Sequence, residues 1–218
     1  MSTPSAKAPR TRRRTGTYAA ADARRDAIIA AATECFAQSG YLNSSLAQIA
    51  ADAGTSATVV LHHFGSKDKL LMEVLLRREQ RTLRRMSELQ EAGLLDSLPE
   101  LLAASQEQHD YNLAHPGLLQ LFIKLSVEAG RPDHPAHEYF VQRYAGAVTL
   151  VAGVLERAIA GGSVDSDTDV RQVAREILAV SDGLQVQWAL AEPGHPLDLQ
   201  SAFDSYFARL GRALAPAA

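Results

Sequence analysis

Beyond residue 20 the apolar residues of this 218-residue chain recur at intervals of three and four and almost never of two. Ile28, Ala32, Cys35 and Phe36 form one such stripe, and Leu46, Ile49, Ala50 and Ala53 form the next. A 3.6-residue period puts each stripe on one helical face, whereas a strand would need alternation. The chain is therefore expected to be all-α, and punctuation divides it. Gly40 stops the first helix, and Ser44 or Ser45 caps the second. Ala53 and Gly54 end that short helix. Ser56 caps a third running to about His63, Gly65 stops it, and Ser66 caps a fourth extending to about Ala92. Ser97, Pro99 and Glu100 make a capping box for a helix ending near Ala114, where His115 and Pro116 interrupt. Leu118 to Ala129 follows, then a long helix from about Ala136 to Ala160. Ser166 or Asp167 caps the helix bearing Val170, Val173, Ala174, Ile177, Ser181, Leu184 and Trp188. EPGHP precedes the last, with Phe203, Tyr206, Phe207, Leu210 and Leu214. About nine helices result, with no internal repeat.

Composition narrows the class. An apolar fraction of 46% supports a proper core. No apolar run approaches the roughly 20 residues that cross a bilayer, and the basic N-terminus lacks the apolar stretch of a secretory signal. Cys35 is the single cysteine, on an apolar helix face. An internal disulfide and a cysteine-rich zinc module are thereby excluded, and a cytoplasmic location is expected. The net charge of -3 hides an asymmetry. Residues 1 to 25 hold Lys7, Arg10, Arg12, Arg13, Arg14, Arg24 and Arg25 against Asp22 alone, leaving 15 basic and 24 acidic residues elsewhere. Such an arm, expected to be disordered over residues 1–20, suits a polyanion, because each neutralised phosphate releases a counterion. A solvated tail is the bland alternative.

Three short helices across residues 22 to 64, with a tight turn at Ala53 to Thr55, have helix-turn-helix dimensions. Ile49, Ala50, Val60 and Phe64 supply its core side. Thr55, Ser56, Ala57, Thr58, Leu61 and His62 are left outward, a surface small enough to approach a groove. His62 and His63 are neighbours, about 100° apart on a helix, which is wrong for a shared metal. His63 is expected to pack under the helix and bond a neighbour or phosphate, and His62 to point outward, unless both merely close the helix end.

The stretch IIAAATECFAQSGYLNSSLAQIAADAGTSATVVLHHFGSKDKLL resembles the tetracycline-repressor (TetR) family of transcriptional regulators. An apolar helix, a glycine-aromatic pair, the Ser-Ser cap, the IA..AG turn, HF and the SK..L helix start fall in order. DHPAHEYFVQRYA and SDGLQVQWAL are similar more weakly. The resemblance implies an N-terminal three-helix DNA-binding domain over 21–66 and a larger helical effector-binding and dimerisation domain over 67–218. It implies a homodimer that acts as a repressor on a palindromic operator in double-stranded DNA and responds to a small-molecule effector. By position, Ser45, Gln48, Thr55, Ser56, Ala57, Thr58, Leu61, His62, His63 and Lys67 become DNA contacts beside Arg12, Arg13 and Arg14. Ser45, Ser56 and Lys67 would hold phosphate, while Ala57, Thr58 and Leu61 would face base edges. Leu61 departs from the family's usual aromatic, which implies a more apolar readout. His109, Tyr111, Phe122, Tyr144, Gln185 and Trp188 lie on helices assigned to the effector pocket; each alone is more often core, but together they favour a mixed apolar and hydrogen-bonding cavity.

Other functions find little support. No glycine-rich phosphate loop, nucleophile elbow or HExxH occurs, so no enzyme activity, cofactor or metal is expected. Asp133, His134, His137 and Glu138 form the nearest metal-like cluster, but Pro135 suggests a turn and helix start there. Arg77, Arg78, Arg81, Arg84 and Arg85 read as a solvated face paired with carboxylates. The last two helices, with broad apolar faces and Gly183, are expected to form a four-helix dimer interface, the alternative being that they close the monomer core.

Overall fold

The structure, a computed structural model, describes residues 13–192 and 196–216. Among them lie nine helices and no strand: α1 (Arg13–Asn43), α2 (Leu46–Asp52), α3 (Ala57–Phe64), α4 (Lys67–Glu91), α5 (Leu98–Ala114), α6 (Pro116–Glu128), α7 (His137–Ala160), α8 (Val170–Leu190) and α9 (Leu199–Leu214). The all-α expectation holds, and the expected caps account for most of the boundaries. Ser45, Ser56 and Ser66 each accept the backbone N–H three residues on, and the capping box of Ser97 and Glu100 is formed.

Two boundaries differ from the sequence reading. Helix α1 begins at Arg13, so residues 13–20, expected in the disordered arm, are helical. The Ala-rich run from Tyr18 to Ala23 extends the helix backwards despite Gly16, because alanine is the best helix former. Helix α8 is capped by Asp169, whose carboxylate accepts from Gln172 N at 3.0 Å, and not by Ser166 or Asp167. The preceding acidic residues instead make a turn, in which Asp165 accepts the Asp167 N–H.

Gly40 ends the regular part of α1 with φ 77°, a left-handed conformation that suits glycine. The carbonyls released there are taken by two lysines from other helices. Lys67 Nζ donates to the Tyr41, Leu42 and Ser44 carbonyls, and Lys124 Nζ donates to the Ala37 carbonyl. Cations at a helix C-terminus also complement its dipole.

Two apolar cores result. The first joins α1, α2, α3 and the start of α4 to Leu121, Phe122 and Leu125 of α6 and to Tyr139 and Phe140 of α7. The second joins the end of α4 to α5, α7, α8 and α9. Helices α1 to α3 thus share a core with α6 and α7, and Cys35 is buried within it. No helix of the described residues is long and apolar enough to cross a membrane.

Candidate nucleic-acid interface and ligand cavity

Helix α3 sorts its residues by face as its periodicity requires. Val60 and Phe64 are buried on the inner side, while Ser56, Thr58, Leu61 and His62 are exposed and Thr55, Ala57 and His63 are half-buried. Leu61 keeps 44% of its surface accessible. Gly54, at φ 63°, makes the turn between α2 and α3, and Thr55 N donates to the Ala50 carbonyl to close it. Ser45 and Ser56 each accept a backbone N–H through Oγ. Each hydroxyl therefore retains its own proton to donate to an anion. Exposed Gln48 at present donates to Asp52 Oδ1 at 2.8 Å.

The histidine pair divides as its helical spacing requires. The His62 and His63 ring centroids are 5.7 Å apart and the planes are nearly perpendicular, with His62 exposed and His63 half-buried beside Phe64. The His63 carbonyl accepts from Arg25. Arg25 also pairs with Glu73 and lies over the Phe64 ring at 4.6 Å. One α1 side chain thereby ties the end of α3 to α4.

Lys67, expected on phosphate, has a different position: the three carbonyls of the α1 terminus engage its ammonium, which sits 4.4 Å over the Tyr41 ring. A phosphate would have to compete with these acceptors for its three protons. Arg12 lies outside the described residues, and for Arg13 and Arg14 the structure gives the helical backbone alone.

Behind this interface, α4, α5, α7 and α8 enclose a cavity of about 420 Å³. Its wall has two characters. Toward the first core stand Arg78, Glu79, Phe122, Tyr139 and Arg143, and toward the second stand Met86, Leu101, Ala104, Leu150, Val151 and Ile177. Exposed Leu76, Leu83 and Gln142 mark its mouth. The Arg78 and Arg143 guanidiniums lie 4.1 and 4.4 Å over the Phe122 ring. Burial, with Arg143 close by, lowers the Arg78 pKa to about 10, so it stays cationic at neutral pH. Burial lowers the His109 pKa to about 4, leaving a neutral imidazole stacked on Phe203 at 3.4 Å. Asp182 accepts from Tyr144 at 2.6 Å. Burial pushes the Asp182 carboxyl up in spite of that bond, and pushes the Tyr139 and Tyr144 hydroxyls up as well.

Two segments of the chain match known protein families. Residues 28–74 match the bacterial regulatory proteins of the tetR family, and residues 112–212 match the C-terminal region of BetI-type transcriptional repressors. The chain belongs to the TetR family. It is 27% identical over 182 residues to the HTH-type transcriptional regulator BetI of Agrobacterium fabrum, covering 82% of each protein. To the HTH-type transcriptional repressor KstR2 of Mycolicibacterium smegmatis it is 28% identical over 187 residues, covering 85% of this chain and 87% of the other. The fold matches a TetR-family regulator from Agrobacterium tumefaciens with a TM-score of 0.74 at 20% identity, over 89% of this chain and 99% of that one. It also matches a protein from Saccharomonospora viridis in complex with choline, with a TM-score of 0.69 at 23% identity, over 86% and 96% of the two chains.

As a TetR-family member this chain is a DNA-binding transcriptional regulator and not an enzyme. Of the residues singled out for its pocket, His109, Phe122 and Gln185 line the cavity. Tyr144 reaches the wall only through Asp182 and lines a second, shallower recess with Arg171 and Arg175. Tyr111 and Trp188 do not line the cavity. Tyr111, about 200° around α5 from His109, faces away and lies under Arg81 at 3.3 Å. Trp188 is one turn beyond Gln185 and packs on the second core.

The arginine stripe on α4 also needs correction. Arg77 pairs with Asp26, and Arg85 pairs with Glu107 and Glu88, as a solvated face would. Arg78 is instead 6% exposed and lines the cavity. The signal was present, since Arg78 continues the apolar register of Leu71, Val74 and Leu75. Arg143 likewise follows Tyr139 and Phe140 in register. His134 and His137 have local partners: His134 Nδ1 accepts from Ala136 N, and His137 Nδ1 lies 2.8 Å from the Ala129 carbonyl.

Proposed function

We infer that this TetR-family regulator is a repressor that binds a palindromic operator as a homodimer and changes its grip when a small molecule fills the cavity. The carrying observation is the continuity of α3 with α4. Gly65 and Ser66 alone separate the last residue of the outward-facing helix from a helix that runs along the cavity. Arg25 and Arg77 pin α1 to α4 through Glu73 and Asp26, so a ligand that displaces α4 takes α1 and α3 with it. In a symmetric dimer such a displacement changes the spacing of the two recognition helices, and half-site spacing is what a palindrome reads. A ligand can shift the equilibrium only by its difference in affinity between the two arrangements.

On DNA, Ser45 and Ser56 donate their free hydroxyl protons to phosphate, while Ala57, Thr58 and Leu61 approach base edges from the exposed side of α3. Gln48, Thr55, His62 and His63 flank that line, and the basic arm containing Arg12, Arg13 and Arg14 adds backbone charge. Dimerisation through α8 and α9 is supported by Leu190, which is 77% exposed, by the exposed Val186 one turn before it, and by Gly183, whose missing side chain would meet nothing in the monomer. The choline complex supports ligand binding by this fold, while the two guanidiniums over the Phe122 ring disfavour a cationic ligand beside them.

The test is fluorescence anisotropy on a duplex enriched by selection. Binding that falls steeply with salt and is weakened about a hundredfold or more by Thr58→Glu supports the reading. Equal binding to scrambled duplex overturns it.

A further inference from the structure

The cavity carries information about its ligand beyond the fact of a space. Formal charges along its polar end cancel, Arg78 and Arg143 against Glu79 and Asp182, so the decisive question is which groups are already satisfied. The carboxylates are. Glu79 Oε2 accepts from the Tyr139 hydroxyl at 3.1 Å and lies 3.3 Å from Arg143 Nε, and Asp182 accepts from Tyr144. The guanidiniums are not. Arg78 makes one hydrogen bond among the described residues, a long one of 3.4 Å from Nη2 to Asn112 Oδ1. Its Nε is buried without an acceptor, and so is Arg143 Nε despite the nearby carboxylate. No carboxylate of the described residues comes within ion-pair distance of Arg78.

A buried cation with five N–H donors and one weak acceptor is costly unless something anionic joins it. Planar, bidentate capture of a carboxylate is what a guanidinium fork does best. Away from the arginines the same cavity is lined by Met86, Leu101, Leu150, Val151 and Ile177, which offer nothing but apolar contact. Polar points interrupt that wall at Ser105, Ser181, Gln185 and His109, the last also buried with Nδ1 lacking a partner. Resting on the ligand-responsive reading above, we propose that the effector is an organic carboxylate, its head held by Arg78 with Arg143 beside it and its apolar body lying toward the second core.

Titration calorimetry of the full chain without DNA tests this with probes that differ only in the head: octanoate, decanoate and dodecanoate, the matched alcohols, and the matched alkyltrimethylammonium ions. At least one carboxylate binds, and its alcohol and ammonium counterparts bind about ten- to a hundredfold more weakly, the span expected for charge-assisted hydrogen bonds. Arg78→Met lowers carboxylate affinity by a similar factor, and Arg78→Lys recovers part of it, with thermal melting confirming that both variants fold. Alcohols binding as tightly as carboxylates, tighter binding of the cation, or no carboxylate binding at all overturns the proposal, whatever the variants do. Anisotropy on the selected duplex separates the two readings. Carboxylate binding that leaves DNA affinity unchanged keeps the anion site and refutes ligand control, whereas normal DNA binding with no carboxylate uptake refutes the anion site alone.

Discussion

At the scale of single residues, Lys67, Thr58 and His109 separate structural from functional roles. Lys67 engages three carbonyls at the end of α1. Lys67→Met is therefore expected to lower stability by about 1–3 kcal/mol in urea unfolding, as loss of a charged hydrogen-bond donor does. Thr58 is exposed and has no such job, so the Thr58→Glu variant that loses DNA should melt within a degree or two of the parent. His109 gives a pH signature. Folding lowers its pKa from 6.5 to about 4, so between those values the unfolded chain binds a proton that the native chain refuses. Stability due to this group is whole above 6.5 and falls as the pH drops toward 4, by up to about 3 kcal/mol. His109→Phe keeps the stack on Phe203, and its melting temperature should fall less over that window than that of the parent. Residues with local rules were legible from sequence: the caps Ser45, Ser56 and Ser66 and the capping box of Ser97 and Glu100 are set by neighbours three positions away. The roles of Lys67 and Arg78 were not, because each depends on a helix distant in sequence.

At the scale of elements, the same contrast governs helix ends. Those of α2 to α4 follow from serine and glycine punctuation, but the start of α8, expected at Ser166 or Asp167, lies at Asp169. Asp169→Ala should cost about 1 kcal/mol, whereas Asp167→Ala should leave the melting temperature nearly unchanged. The faces of α3 were readable because a buried Val60 and Phe64 fix where Thr58 and Leu61 point. On α4 the reading failed at one position, since five arginines over nine residues looked uniformly solvated until Arg78 proved to lie in the apolar register. Helix α4 is also the element on which the functional account turns, carrying Arg78 and Glu79 at the cavity and Glu73 and Arg77 against α1.

At the scale of the whole molecule, the proposed dimer grips DNA through two copies of α3, and the core shared by α1, α6 and α7 is the route by which the cavity acts on them. Leu190→Glu places a charge on the most exposed large apolar residue of α8. Light scattering should then show a shift from two chains toward one, with operator affinity falling in parallel. Removing residues 1–12, which carry Lys7, Arg10 and Arg12, should leave the fold intact and reduce the salt slope by about one for each phosphate that is no longer neutralised. The central claim is tested most directly by selecting from random duplex DNA with the purified full chain. Enrichment of an inverted repeat whose half-site centres lie a whole number of helical turns apart is the predicted result, and recovery of unenriched sequence or of unpaired single half-sites contradicts the account.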